Sequence, residues 1–287
     1  MTKKYSRRSF IKGLFSFSIG GLLVSIGGYS YARYFEPSLL DITNFNIENE
    51  KLPLSFDGFK VVQFSDTHLS YYFTLDRLET IVEKMNSISP DIVFFTGDLM
   101  DEPNQYEYVN KIVPVLEKIK APYGKYAIYG NHDHGGYGTD IYKNVIEMSG
   151  FTLLNNQVVT IQKQDGTKIS VSGLDDLMLG KPSYEGTLGN LNPEIFNILL
   201  AHEPDAALET HQYSVDLQLS GHSHGGQIQL PFYGPLITPP YATEYFEGMY
   251  EVGNMKLYVN RGLGTTRLPF RFLSTPEISC FTLKSIK

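Results

Sequence analysis

The chain has 287 residues, 42% hydrophobic and 19% charged, which suits one large α/β domain or two small ones and excludes a disordered or collagen-like protein. A single cysteine, Cys280, excludes an intramolecular disulfide framework and any cysteine-rich zinc module. The net charge is −7, but residues 1–32 hold five basic side chains and no acid, leaving 19 basic against 31 acidic residues beyond them. That −12 body excludes a general nucleic-acid binder, whose affinity comes from cations neutralising phosphates.

The first segment reads as an address. Lys3, Lys4, Arg7, Arg8 and Lys12 precede an uncharged run from Gly13 to Ala32, and Ser30-Tyr31-Ala32 offers the small residues of a peptidase site. Arg7-Arg8, with Ser6 before and Phe10-Ile11-Lys12 after, resembles a twin-arginine export signal. The run is just long enough to span a bilayer. Its five glycines and four serines weaken it as a permanent span. Residues 1–32 are therefore read as a signal for the twin-arginine translocation machinery, cleaved after Ala32 or kept as a tether. The protein is expected at the outer face of the cytoplasmic membrane or in the cell wall.

Residues 33–57 read as a connector carrying a short strand over 42–47, and residues 58–287 as one domain. Within it, Phe59–Ser65 is a β-rich run, and apolar residues at 75, 78, 81, 82, 85 and 88 predict a helix stopped by Pro90. Asp91–Thr96 is a second buried-type strand, Tyr106–Ile119 a helix bent at Pro114, and Lys125–Tyr129 a third strand. Later come a hairpin (158–161 and 169–171) turning at Asp165-Gly166 and strands over 195–201 and 215–220. A pair over 245–252 and 256–260 and a closing strand over 278–283 follow. Strands alternating with helices predict crossover units and a largely buried sheet.

The chemistry lies where these strands end. Six of the seven histidines (68, 132, 134, 202, 222 and 224) fall in five polar clusters just beyond predicted strands, the place where α/β sheets put their ligands. With Asp66, Asp98 and Asn131 beside them, packing alone does not explain the grouping. Imidazole, carboxylate and carboxamide donors suit borderline divalent ions such as Mn, Fe or Zn. Asp101 reads as an acceptor behind a ligand or as a helix-start residue. His134 with Gly135-Gly136 reads as pocket rim or plain loop, and Arg261, Arg267 and Arg271 as anion-steering or surface-paired.

The ordered series Asp66-x-His68, Gly97-Asp98-x-x-Asp101, Gly130-Asn131-His132-Asp133, His202 and Gly221-His222-x-His224 resembles the calcineurin-like metallophosphoesterases over roughly residues 58–285. The tail Asn260–Pro269 with Pro276-Glu277-Ile278 further resembles a bacterial branch that is exported or membrane-associated. The resemblance implies a four-layer αββα sandwich of two mixed sheets flanked by helices. It places Asp66, His68 and His224 on one metal, and Asn131, His202 and His222 on a second, with Asp98 bridging. Ions about 4 Å apart repel, so a shared carboxylate is needed, and hydroxide between them is the nucleophile toward phosphorus. His132, with Asn131, would contact the phosphate, and His132 would protonate the leaving oxygen; Asp133 either orients it or caps the following segment.

The expected activity is hydrolysis of phosphate mono- or diesters. The alternatives are a tethered phosphodiesterase or pyrophosphatase of a lipid-linked phosphate, and a cell-wall or membrane-associated binding protein with structural metals.

Overall fold

A computed structural model describes residue 7, residues 25–134 and residues 139–286. Arg8, the lysines at 3, 4 and 12, and most of the uncharged run lie outside the described residues, as do Gly135 and Gly136. Among the described residues, no helix is long and apolar enough to cross a membrane.

The first sheet begins with β1 (Asp41–Asn49), so residues 33–57 do more than connect. β1 runs parallel to the last strand, β14 (Glu277–Ser285), which pairs antiparallel with β2 (Lys60–Phe64). Parallel strands β3 (Ile92–Phe95), β4 (Lys125–Ala127) and β5 (Thr152–Leu153) complete the order β1-β14-β2-β3-β4-β5. The second sheet starts with the predicted hairpin, β6 (Gln157–Gln162) and β7 (Lys168–Gly173). β8 (Asn197–Leu200) and β9 (Leu217–Ser220) follow; a short separate hairpin pairs β10 (Gln229–Leu230) with β11 (Gly234–Pro235); and β12 (Gly248–Val252) and β13 (Met255–Val259) finish the sheet. Its order is β12-β13-β9-β8-β7-β6.

The layers follow from the two-residue repeat of strands. Val62, Phe64, Val93 and Phe95 face α1 (Leu75–Ile88), α2 (Val109–Leu116) and a later helix over Thr139–Met148. Val61, Ile92 and Phe94 point the other way and meet Ile169, Val171, Ile198, Leu200, Leu217 and Leu219 of the second sheet. On the far face of that sheet, Leu199, Leu257 and Val259 are covered by Leu188, Ala206 and Ala207 from short helical segments. The arrangement is an α/β fold of two mixed sheets flanked by helices.

α1 matches its predicted span. The Thr74 side chain caps it by accepting from the Arg77 amide, and Ser89 ends it in a left-handed conformation just before Pro90. α2 is shorter than 106–119 at both ends. Tyr106 is taken up by a turn in which its amide donates to the Glu102 carbonyl, and past Leu116 the Lys118 and Ile119 amides turn to the carbonyls three residues back, Val115 and Leu116. β12 begins three residues later than expected because Thr243, Glu244 and Tyr245 all donate their amides to the buried Asp205 carboxylate instead.

Candidate metal centre

Every ligand loop leaves the carboxyl end of a strand of one sheet or the other, so the two sheets aim their loops at one place. The turns there are tight. A Cβ on Gly130 would overlap Asp98 Oδ1, and one on Gly221 would overlap Asp66 Oδ2. Asp66, His68, Asp98, His222 and His224 all have positive φ, between 42° and 69°. Such strain in residues with side chains collects at functional sites.

The side chains form two groups joined through Asp98. Asp66, His68 and His224 bring one donor atom each to within 4.8 Å of one another, as do Asp98, His202 and His222. Asp98 Oδ2 lies 3.4 Å from His68 Nε2 and 3.3 Å from His202 Nε2, so one carboxylate faces both groups. His68 Nε2 and His224 Nε2 are 3.0 Å apart. The Asn131 carboxamide oxygen and His202 Nε2 are buried with no hydrogen-bond partner. Orphaned donor atoms of this kind, among hard and borderline ligands, fit divalent cations. Six of the seven residues expected as ligands, Asp66, His68, Asp98, His202, His222 and His224, are thus brought to one centre, and the seventh, Asn131, contributes a buried, unpartnered carboxamide oxygen.

The surroundings of His202, His222 and His68 fix which ring nitrogen each of these three offers. His202 Nδ1 donates to the Thr96 carbonyl at 2.6 Å and His222 Nε2 to the Pro240 carbonyl at 2.9 Å, leaving His202 Nε2 and His222 Nδ1 for a cation. His68 Nδ1 bonds Asp101 Oδ1 at 3.1 Å. Burial and the neighbouring His202 pull His222 down to about 4. Burial, His68 and Arg271 hold His224 well below the usual histidine range. Both are therefore neutral, the form that ligates. Burial would raise the Asp98 carboxyl, but the His202 and His132 imidazoles hold it well below the ordinary carboxylate range.

His132 stands beside this centre, its ring 4.5 Å edge-on from that of His68. Its amide donates to Asp98 Oδ1 at 2.9 Å, and its Nδ1 bonds the Asp101 carbonyl at 2.8 Å. Asp133 does not orient it. Fully buried, Asp133 accepts the amides of Asp98 (2.7 Å), Gly130 (2.9 Å) and Leu99 (3.1 Å), tying the two ligand loops together. Burial and the nearby Asp98 charge push its carboxyl up to about 7. Asp101 takes the place expected of Asp133. It also lines a cleft of about 860 Å³ with Leu69, Tyr71, Tyr106 and Lys111.

Three arginines were grouped by sequence, and the structure separates them. Arg261 pairs with Glu277 at 2.9 Å and Asp41 at 3.1 Å. Arg267 is exposed. Arg271 is fully buried, donates to the carbonyls of Gly264 and Ser274, and sets Nη2 3.2 Å from His224 Nδ1, so it braces a ligand rather than steering substrate. His134 bonds Asp175 Oδ1 at 2.7 Å and sits by the Tyr129 ring. No local sequence signal marks Thr96 or Pro240, which act through main-chain oxygens.

The sequence model of the calcineurin-like phosphoesterase family matches residues 59–226. The chain belongs to the calcineurin-like phosphoesterase family. As such it is a metal-dependent phosphoester hydrolase, and its clustered histidines and aspartates form a possible two-metal site. It is 57% identical over 283 residues to the uncharacterized metallophosphoesterase YkuE of Bacillus subtilis (strain 168), covering 99% of each chain. It is 30% identical to the UDP-2,3-diacylglucosamine pyrophosphatase LpxG of Chlamydia muridarum (strain MoPn / Nigg), covering 86% of this chain and 90% of that protein. Among solved structures, the Haemophilus influenzae NAD nucleotidase shares the fold with a TM-score of 0.50 at 16% identity. That likeness covers 71% of this chain and 45% of the nucleotidase, so the chain spans under half the length of that structure.

Proposed function

We propose that the protein is exported by the twin-arginine route and hydrolyses phosphate mono- or diesters outside the cytoplasmic membrane, using two divalent cations, Mn, Fe or Zn. The observation that carries the hydrolytic reading is the single carboxylate of Asp98 facing both ligand groups, with His132 alongside. Asp66, His68 and His224 would hold one cation, Asn131, His202 and His222 the other, and Asp98 both. Cations bound there supply an acidified water and positive charge opposite the phosphoryl oxygens. Asp101 holds His132 by Nδ1, which keeps Nε2 for a phosphoryl or departing oxygen. Export rests on Arg7-Arg8 and the uncharged run behind them.

A second reading narrows the substrate to a lipid-linked phosphodiester or pyrophosphate at the membrane or cell wall. It draws on the printed activity of the LpxG relative and on the exposed Tyr71 at the rim of the cleft. The test is hydrolysis of a chromogenic phosphate ester with added manganese. Turnover that disappears with chelator and with Asp98→Ala supports the enzyme. Absence of turnover on any ester, with metals bound, leaves a binding protein. For export, Arg7→Lys with Arg8→Lys is expected to hold the protein in the cytoplasm, and its continued appearance outside would refute the route.

A further inference from the structure

Three segments that carry no exposed acid meet on one face. Residues 225–243 contain no charged side chain, and their β10–β11 hairpin holds Phe232 and Tyr233 out into solvent, followed by Ile237 at 79% exposure. Residues 264–273 add Leu268, Leu273 and the exposed Arg267, which has no carboxylate within ion-pair distance among the described residues. Residues 26–35 add Tyr34, Phe35 and Arg33. The segments are joined: the Gln229 amide donates to the Phe272 carbonyl and the Arg271 amide to the Ala32 carbonyl, each at 2.9 Å, and Tyr31 meets the Phe272 ring at 6.1 Å. Past Arg33 the face reaches the cleft that Asp101 lines. Arg33 lies 4.9 Å over the Tyr72 ring, Tyr72 touches Tyr71, and Tyr71 lines the cleft with Asp101.

We propose that this face docks on the surface of an anionic lipid bilayer, with the cleft beside Asp101 opening at its rim. Monomeric proteins seldom expose so continuous an apolar patch without a partner. Aromatic tips beside arginine are what a headgroup interface accepts, and the exposed Arg267 and half-buried Arg33 stand out on a body whose charge beyond residue 32 is −12. In sequence, the uncharged run from Gly13 ends at Ala32, whose carbonyl is bonded within this face. A second copy suits it less, because symmetric apposition would bring Arg33 and Arg267 of both copies into one uncompensated interface. The inference deepens the lipid-linked reading and rests on it for the substrate; the docking itself does not require hydrolysis.

The chain contains no tryptophan, so one introduced residue reports alone. In the full-length protein, Phe232→Trp is compared with Met148→Trp. Met148 is exposed at the end of the helix leading into β5, the edge of the first sheet opposite β1. The probe is vesicles of phosphatidylglycerol and phosphatidylcholine with brominated acyl chains. The expected result is a blue shift and loss of most emission at position 232 and neither at 148, with hydrolysis of a soluble ester unchanged. Equal quenching at both positions overturns the proposal, because tethering by residues 13–32 alone would give it. A blue shift without vesicles that grows with protein concentration also overturns it in favour of self-association. A protein inactive on every ester but quenched at 232 would lose the hydrolytic reading and keep the docking face.

Discussion

His132 and Asp101 are linked through the main chain: His132 Nδ1 lies 2.8 Å from the Asp101 carbonyl oxygen, while the Asp101 carboxylate turns to His68 Nδ1 at 3.1 Å. One residue therefore sets a candidate metal ligand with its side chain and the neighbouring acid–base candidate with its backbone.

That division makes Asp101→Asn informative. The carbonyl that holds His132 survives, while the charged acceptor behind His68 is lost. Metal affinity is expected to fall about 10–100-fold, as for other carboxylates behind ligating histidines. Metal titration followed by elemental analysis reads this directly, and unaltered affinity would remove Asp101 from that role.

His132→Ala is expected to keep both metals and lower turnover by about 10²–10⁴-fold, the usual worth of proton transfer to a leaving group. The loss should be greatest for esters with basic leaving groups. Equal losses across a leaving-group series would point to phosphate contact alone.

Asp133→Asn tests the loop tie. Oδ2 accepts two amides, from Asp98 and Gly130, and an amide NH₂ in its place would face donors with a donor. The fully buried site should lose about 1–3 kcal/mol, the cost of an unsatisfied buried group. Urea unfolding of the metal-free protein measures it. A fall in turnover with unchanged stability would instead restore the histidine-orienting role.

His134 and Asp175 predict a pH window. Burial opposes both charges, but their 2.7 Å bond raises His134 above, and lowers Asp175 below, the ordinary range. The histidine's contribution is complete below its unfolded pKa and is lost as pH rises through the raised folded value. The aspartate's is complete above its unfolded pKa of about 4 and is lost as pH falls through the depressed folded value. Asp175→Asn should therefore cost most stability between about pH 4 and 6.5, and less outside that window. Thermal unfolding at pH 5 and pH 8 checks it: a pH-independent loss would mean that packing, not charge, holds the pair.

Much of the site was legible because its residues sit at strand ends, and strand ends show in sequence as apolar runs followed by polar residues. The α1 spacing and the Asp165-Gly166 turn were legible for the same local reason. What escaped was non-local. Asp133 satisfies amides 34 and 35 residues away. Asp205 draws in residues 243–245 and shortens β12. Arg271 is buried although it carries a charge, because carbonyls of its own loop (Arg261, Gly264 and Ser274) and the imidazole of His224, 47 residues away, satisfy it. Such pairings depend on how loops meet after the sheets have packed.

The left-handed backbone at Asp66, His68, Asp98, His222 and His224 narrows what evolution or an engineer could place there. Aspartate, asparagine and histidine are the non-glycine residues that tolerate that region best, and they are also donors to hard and borderline cations. A glutamate or glutamine swapped in to preserve an oxygen would forfeit this conformational fit. The alphabet open to the centre is thus cut twice, by coordination preference and by torsion, and the two cuts leave nearly the same letters.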